Sequence, residues 1–524
     1  METYLTKTLN KPAGGAFARR YAPIVQVSFH TEDQLYQTRG VIDSSNTNFD
    51  PTNQLLTVTT TKALSSPAGT FSTSLAGDGW FMPNGKPKLK PNDLAIIYMG
   101  YKAPNKSVLW ADGTSHTATE DLSTVMIGLI DTVTRTRSGG GDGLQPQVTT
   151  TITGRDFGKL LIKSTLKFYP ELNWGTAKDQ PFFLTQVGWV ALLQTFTGAN
   201  AYVGSPAKIL DTTMRFVLKK LVDIKWKVYD DNILGSIGGA KIAELGSMLR
   251  YRFAATNFSI PFYMTAQQYE GSIWNLMERV NLKPFTELFV DTRDRWEVAN
   301  VTGVPQLVNE VCEEESDSAK GQLSDDKGKW SYPATMFGKK DGSQAVVTLR
   351  NTPFTKDLWD KLRKHEVPEV DIISETLSYS DNENYNIFWA GTTLTPFGAA
   401  FDLKKISPPM LNESNAKRYG LSALEVQIEG LQIQKENEDT QVIALAEMAK
   451  SLNQELKDWF EHNDEYLSGT LEMRGKGDLK IGQKLVVVYT GLRIEFYIES
   501  VTQSFQVYGK WSTTVQVTRG RVLA

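Results

Sequence analysis

Cysteine is nearly missing. Cys312 is the single one in 524 residues, so no internal disulfide is available, and a reducing cytoplasm suits the chain's synthesis. Histidine is scarce as well: His30, His116, His365 and His462 are widely scattered, and one thiol beside them makes no zinc-ligand spacing. Neither charge sign dominates, since 56 Lys and Arg against 59 Asp and Glu leave −3; the field of a duplex-binding protein and an acidic tail are both disfavoured. Met1 to Arg20 lacks the apolar core of a signal peptide, and no later run approaches the roughly 20 residues that span a bilayer. The densest apolar stretches, Val187 to Leu193 and Leu485 to Tyr489, are far too short.

Catalytic signatures are equally thin. No Gly-x-Ser-x-Gly elbow occurs, which removes the hydrolase nucleophile. His365-Glu366-Val367-Pro368-Glu369 lacks the second histidine of a zinc-protease helix, and Pro368 would break that helix. Gly139 to Gly143 lacks the following Gly-Lys-Ser/Thr of a phosphate loop and reads as a turn between strands, while Gly235 to Lys241 fails the same spacing. No catalytic, cofactor-binding or metal-binding residue is assigned. A carboxylate pair stays open, because a glycosidase needs two acids close in space and 59 acids offer many pairs. A glycan-binding or cell-wall-degrading role using such a pair is therefore the alternative reading.

What is present is ordinary globular composition, 40% hydrophobic and 10% aromatic, in a length that predicts three to four domains at roughly 150 residues each. Residues 1–156 read as sheet. Ile24, Val25, Val27 and Phe29, then Leu55, Leu56 and Val58, Leu94 to Met99, Val125 to Val133 and Val148 to Thr153 carry β-branched, partly alternating runs. After Gly154-Arg155-Asp156, read as a structural turn and charge pair, helical spacing begins. Met214, Val217, Leu218 and Leu221 follow Asp211 as N-cap; Ile273, Leu276, Met277 and Val280 follow Ser272 and stop before Pro284. Leu288 to Val290 with Trp296 to Val298 suggest a hairpin, Glu313 to Lys329 an exposed acidic loop, Ala345 to Leu349 a strand and Asp357 to Leu362 a short helix. Leu421 to Phe460 predicts a long amphipathic helix or helical hairpin.

The two ends resemble each other. Leu89-Lys90-Pro91-Asn92-Asp93-Leu94-Ala95-Ile96-Ile97-Tyr98 stands against Leu479-Lys480-Ile481-Gly482-Gln483-Lys484-Leu485-Val486-Val487-Val488-Tyr489. Each is followed by a strand ending in an acid, one residue and Val-Thr: Asp131-Thr132-Val133-Thr134 and Glu499-Ser500-Val501-Thr502. Val148 to Asp156 then matches Ser512 to Arg521. Three blocks agreeing in order predict a duplication, with Val370 to Trp389 opening the second unit.

Leu-Lys-Pro-x-Asp before a strand, Gly128-Leu129-Ile130-Asp131, Thr151-Ile152-Thr153-Gly154-Arg155-Asp156, Leu349 to Phe354, Leu377 to Asp381 and Val517 to Gly520 together resemble bacteriophage tail baseplate hub proteins. That family includes late control protein D and the hub portion of type VI secretion spikes. The resemblance implies an α+β, mainly β chain with two related small β-barrel domains and intervening α/β and helical domains. The boundaries it suggests are 1–156 for the first barrel, 157–260 mainly helical, 261–367 α/β with the acidic loop near 313–329, 368–400 plus 467–524 for the second barrel, and 401–466 an inserted helical region. It further implies a non-enzymatic homotrimer without cofactor, whose barrels form a pseudo-six-fold ring between a hexameric tail tube and a trimeric central spike or tail tip. Tape measure and other baseplate proteins are further expected partners. DNA is expected to transit the channel without stable binding, and the expected location is the virion tail or baseplate.

Overall fold

The computed structural model describes residues 23–41, 55–77, 79–109, 115–139, 147–167, 270–293, 344–381, 383–392, 408–428, 438–507 and 509–523, with short pieces between 203 and 261. It is mainly β, as the sequence predicts. Thirteen strands join one continuous sheet. From the first part of the chain come β1 (Pro23–His30), β2 (Leu35–Val41), β3 (Leu55–Ala63), β4 (Thr70–Ala76), β5 (Leu94–Leu109), β6 (Ser115–Ser138) and β7 (Gln147–Asp156).

Helix α1 (Gly158–Lys163) leaves β7 and leads toward an α/β unit. There, strand β8 (Leu249–Phe253) and β9 (Thr286–Arg293) flank β10 (Gln344–Asn351), and α2 (Ile273–Val280) precedes β9. Ser272 caps α2 by accepting from the Asn275 N–H at 3.1 Å, satisfying a donor that has no partner within the first turn. Leu288 to Val290 pairs with Val347 to Leu349 of β10; Trp296 to Val298, its expected hairpin partner, falls outside the described residues. So do the acidic loop at 313–329 and most of the stretch after Asp211. Asp211 itself falls outside the described residues, while Leu210 and Met214 are helical.

The second part of the chain supplies α3 (Lys356–Asp360), then β11 (Lys364–Pro368) and β12 (Ile372–Ser378). Strand β13 (Ile387–Thr392) leaves the large sheet and pairs with β14 (Met410–Leu411) and β15 (Ala423–Ile428) in a separate three-stranded one. Helix α4 (Glu413–Tyr419) lies between those two strands, and α5 (Glu438–Phe460) follows them. The continuous helix or hairpin expected over 421–460 is thus corrected. Ala423–Ile428 is a strand because Leu424 and Val426 are half-buried between exposed neighbours, a period of two inside a helix-rich composition. Helix α5 buries Ala449, Leu452 and Leu456, and Asn453 Oδ1 accepts from the Ala390 N–H of β13 at 2.6 Å.

The chain then returns to the large sheet as β16 (Leu467–Arg474), β17 (Lys484–Tyr489), β18 (Leu492–Gln506) and β19 (Trp511–Val522). The pairing order β1-β5-β6-β7-β4-β3 recurs as β11-β17-β18-β19-β16-β12. Numbered by position along the chain, both halves connect first to fourth, fifth, sixth, third and second. Two differences separate them: β2, on the outer edge of β1, has no counterpart beside β11 among the described residues, and β1 runs antiparallel to β5 whereas β11 runs parallel to β17. Each half has its own apolar core, Val25, Phe29, Phe71, Ile97 and Ile152 in one and Leu471, Leu485, Val487, Phe496 and Val515 in the other.

Where β6 and β7 cross closely, only glycine fits. A Cβ on Gly154 would stand 2.3 Å from the Leu129 carbonyl oxygen and 2.4 Å from the Phe71 ring, whereas one on Gly139 meets nothing within 4 Å. Gly154→Ala is expected to cost about 2–3 kcal/mol through overpacking, seen as a lower thermal unfolding midpoint, while Gly139→Ala leaves it unchanged.

Candidate assembly interface

Among the described residues, the two halves are joined by a single run of ladder hydrogen bonds. Strand β18 is long enough to serve both: Leu492–Tyr497 pairs with β17, and Ser500–Gln506 pairs antiparallel with β3. Its redirection is built into the sequence. At Glu499 the register against β19 shifts by one residue, a bulge that bends the strand and sharpens its twist. The first half has the same device at Asp131, between Ile130 and Thr132 of β6.

Both bulge acids are tied to the facing strand at the equivalent position. Asp131 accepts from Arg155 Nε at 2.7 Å and sits 3.1 Å from buried Lys159; Glu499 accepts from Thr518 Oγ1 at 3.0 Å. Partial burial works against ionising Asp131, but the hydrogen bonds from Arg155 and Lys159 prevail and hold its carboxyl below the usual range. Glu499, with only a hydroxyl donor, is pushed up by burial.

The seam itself is dry on one face. Val58 and Thr60 of β3 are buried, as are Val501, Gln503 and Phe505 of β18. Phe505 lies directly opposite Val58 and, with Trp511, completes the core of the first half. Gln503 uses both ends of its amide there. Its Nε2 donates to the Lys476 carbonyl, and its Oε1 accepts from Trp511 Nε1 at 3.0 Å and Thr513 Oγ1 at 2.6 Å. Beyond the ladder, the Tyr101 hydroxyl donates to the Gly475 carbonyl at 2.7 Å, its ring lies 4.9 Å from that of Trp511, and Lys480 Nζ donates to the Thr124 carbonyl.

Charged groups lock the α/β unit to both halves. From β3, Lys62 Nζ donates to Thr292 Oγ1 at 2.6 Å and lies 3.8 Å from Asp291. Burial lowers the affinity of Lys62 for its proton, and Asp291 and Asp156 oppose that shift. Asp156 itself accepts from the Gly69 and Gly158 N–H groups; burial nevertheless pushes its carboxyl up to about 6. On the second half, Arg350 donates to Glu287 at 2.9 Å, to the Gly482 carbonyl at 2.7 Å and to the Tyr497 hydroxyl at 2.8 Å, and Tyr497 in turn donates to Glu287. A cavity of about 750 Å³ opens beside this junction, lined by Leu64, Glu287, Trp459, Tyr497 and Arg519 among others.

These placements bear on chemistry. His365-Glu366-Val367-Pro368 is strand β11, with His365 Nε2 at 2.5 Å from Gln483 Oε1. Among the described residues no group of His, Cys, Asp and Glu gathers as metal ligands, and no helix is long and apolar enough to cross a membrane. The charged clusters are consumed by hydrogen bonds between elements. Sequence reasoning marked the two acid-x-Val-Thr segments but not their bulges, and it missed the seam. The alternation of Val501, Phe505 and Val507 marks a face to be buried, but nothing local names the strand that covers it.

No protein family model matches the chain, and no curated protein matches it. Among solved structures it is similar to a 43 kDa tail protein of prophage MuSo2 from Shewanella oneidensis, at 11% identity and TM-score 0.39 over 94% of this chain and 98% of that one. A tail protein from Neisseria meningitidis MC58 gives 10% and 0.39 over 94% and 96%. The E. coli c3393 protein, a type VI secretion component described as similar to T4 tail proteins, gives 8% and 0.34 over 88% and 73%.

Two outcomes test the junction. Arg350→Ala removes the charged partner of Glu287, leaving it the Tyr497 hydroxyl, and is expected to cost about 2–3 kcal/mol in denaturant unfolding, with Arg350→Lys recovering only part because one ammonium cannot reproduce the fork. For Asp156 the native state binds its proton near pH 6 and the unfolded chain near 3.9. Stability from this group therefore rises as pH falls from 7 to 4.5, and the rise is absent in Asp156→Asn when unfolding is followed against pH.

Proposed function

We propose that the chain is a structural hub of a phage tail or phage-like particle. In this reading three copies form a ring in which the two halves alternate as six similar units. A six-fold tail tube meets one face, where the units look alike, and a three-fold spike or tip meets the other, where their insertions differ. The observation that supports it is the recurrence of one strand order in both halves, joined edge to edge by β18 and β3. An isologous pair would use one self-complementary patch; a head-to-tail contact between unlike edges closes only as a ring. The seam is head to tail.

The role is binding and shape, not bond breaking. Charged side chains of the junction serve packing between elements, and each acid described there already accepts from a neighbouring donor. Tube, spike and tape-measure proteins are the partners this reading assigns, with DNA or effector passing through the ring. Because phosphate contacts retard a polyanion, a channel that passes DNA is expected to avoid a strongly positive lining.

Native mass spectrometry and electron microscopy of the purified protein or its particle check the reading. A particle of three chains with three-fold symmetry and six similar β units in projection is the expected result. A protein that stays monomeric at all concentrations and is absent from tail particles overturns it.

A further inference from the structure

The equivalence of the two halves can be followed residue by residue through the ladders. The bulges align Asp131 with Glu499, so β6 residues Thr132 to Ser138 correspond to Ser500 to Gln506 of β18. Gly154 then corresponds to Val517, Phe71 to Gly469 and Thr60 to Leu377. On this alignment β3 residues Thr57 to Thr61 match Ser374 to Ser378 of β12. A second pair of bulges checks it independently. The register of β3 slips between Leu55 and Thr57, that of β12 between Ile372 and Ser374, at the same position of each half.

Within one chain only one of the two equivalent seams is made. The β18 end pairs with β3, but among the described residues β12 pairs only with β16, and Thr132 to Ser138 of β6 only with β7. The positions buried in the made seam are open in these strands. Val58 is 0% and Phe505 1% exposed, while their counterparts Glu375 and Arg137 are exposed. Tyr379, which extends the same face, is 63% exposed. Leu377 and Tyr489 lie part-buried at the rim of the second core, which no counterpart of Phe505 covers among the described residues.

We infer that β12 of one copy pairs antiparallel with the Thr132 to Ser138 end of β6 from a second copy, in the register of the β18–β3 seam. This rests on the ring reading above and names its contact. Copying the pairs Phe505–Val58, Ser504–Thr59 and Gln503–Thr60 onto the open edges sets Arg137 opposite Glu375, Thr136 opposite Thr376 and Arg135 opposite Leu377. The facing charges are opposite, and Arg135 reaches Glu375 along the diagonal, an arrangement that favours pairing across strands. Glu375 already accepts from the Tyr489 hydroxyl at 2.7 Å, which holds the carboxylate at the rim. Where the intramolecular seam uses an apolar pair, the open edges carry charge, which keeps an unassembled edge from pairing indiscriminately. Two copies of β12 bring Glu375 against Glu375, and two copies of β6 bring arginines together; only the unlike edges match.

The test uses the full chain. Arg137→Glu and Glu375→Arg are each expected to raise the concentration at which the oligomer half-dissociates by about tenfold or more, since attraction becomes repulsion at every contact. The double exchange restores assembly. Independently, Thr136→Cys in one preparation and Thr376→Cys in another, both with Cys312→Ser, should form a mixed disulfide on oxidation, because directly opposed strand residues stand within disulfide reach. Neither alone should cross-link, and neither should Thr134→Cys mixed with Thr376→Cys. An oligomer indifferent to both charge changes, with no mixed disulfide, overturns the pairing and leaves the three-copy ring intact. Mixed disulfides in open-ended chains that never close at three keep the pairing and remove the ring.

Discussion

Everything in this fold follows from the fact that a strand edge must be hydrogen-bonded or exposed to water. Six strands of each half curl around a core, but neither half closes on its own account within the described residues. The first is completed by the second: the far end of β18 supplies the missing ladder along β3, and Phe505 supplies the missing piece of apolar core. The bulge at Glu499 makes this possible, because a straight β18 would continue along β17 and never reach β3. Strand length, bulge and core filling are one device.

Charge plays the complementary part. Lys62, Asp156, Asp291, Glu287 and Arg350 sit where three units meet, and burying them costs solvation that only several well-placed donors and acceptors offset. Such groups fix geometry more than they add stability. A purely apolar junction would let the α/β unit slide; the forked Arg350, bound at once to a carboxylate, a carbonyl and a phenol, admits one position. The shifts follow: Arg350 holds its proton more tightly while buried Asp156 gives its own up late.

The β-rich class and the duplication were legible because strands declare themselves by alternation and because Leu-Lys shortly before a hydrophobic strand and acid-x-Val-Thr after it recur at both ends. The start of helix α2 near Ser272 was legible, since the stripe Ile273, Leu276, Met277 and Val280 is a local signal; that Ser272 caps it is what the structure adds. Pairing between distant strands was not. Leu288 to Val290 pairs with residues beyond the acidic segment, and Val58 with Phe505, contacts that no window of sequence contains. Ala423–Ile428 went unread because its six residues of period two lie in a Glu, Gln and Leu background whose composition favours helix. The bulges were invisible for a different reason: an unpaired residue in a ladder leaves no mark on composition, and the two copies of the acid gained meaning only once their registers were seen to slip together.

The reach of β18 also bears on how the molecule is made. Thr61 and Thr502, whose hydroxyls lie 3.2 Å apart across the seam, are 441 residues apart in the chain, so during synthesis the front unit waits, incomplete, while the ribosome adds all that intervenes. For that interval its uncapped interior and bare β3 are available to any neighbouring nascent chain, and slow, non-local pairing of this kind is where aggregation competes with folding. A polysome translating this message places many such half-finished units side by side, which makes the timing of translation, and not only the energy of the finished seam, part of what yields a native subunit.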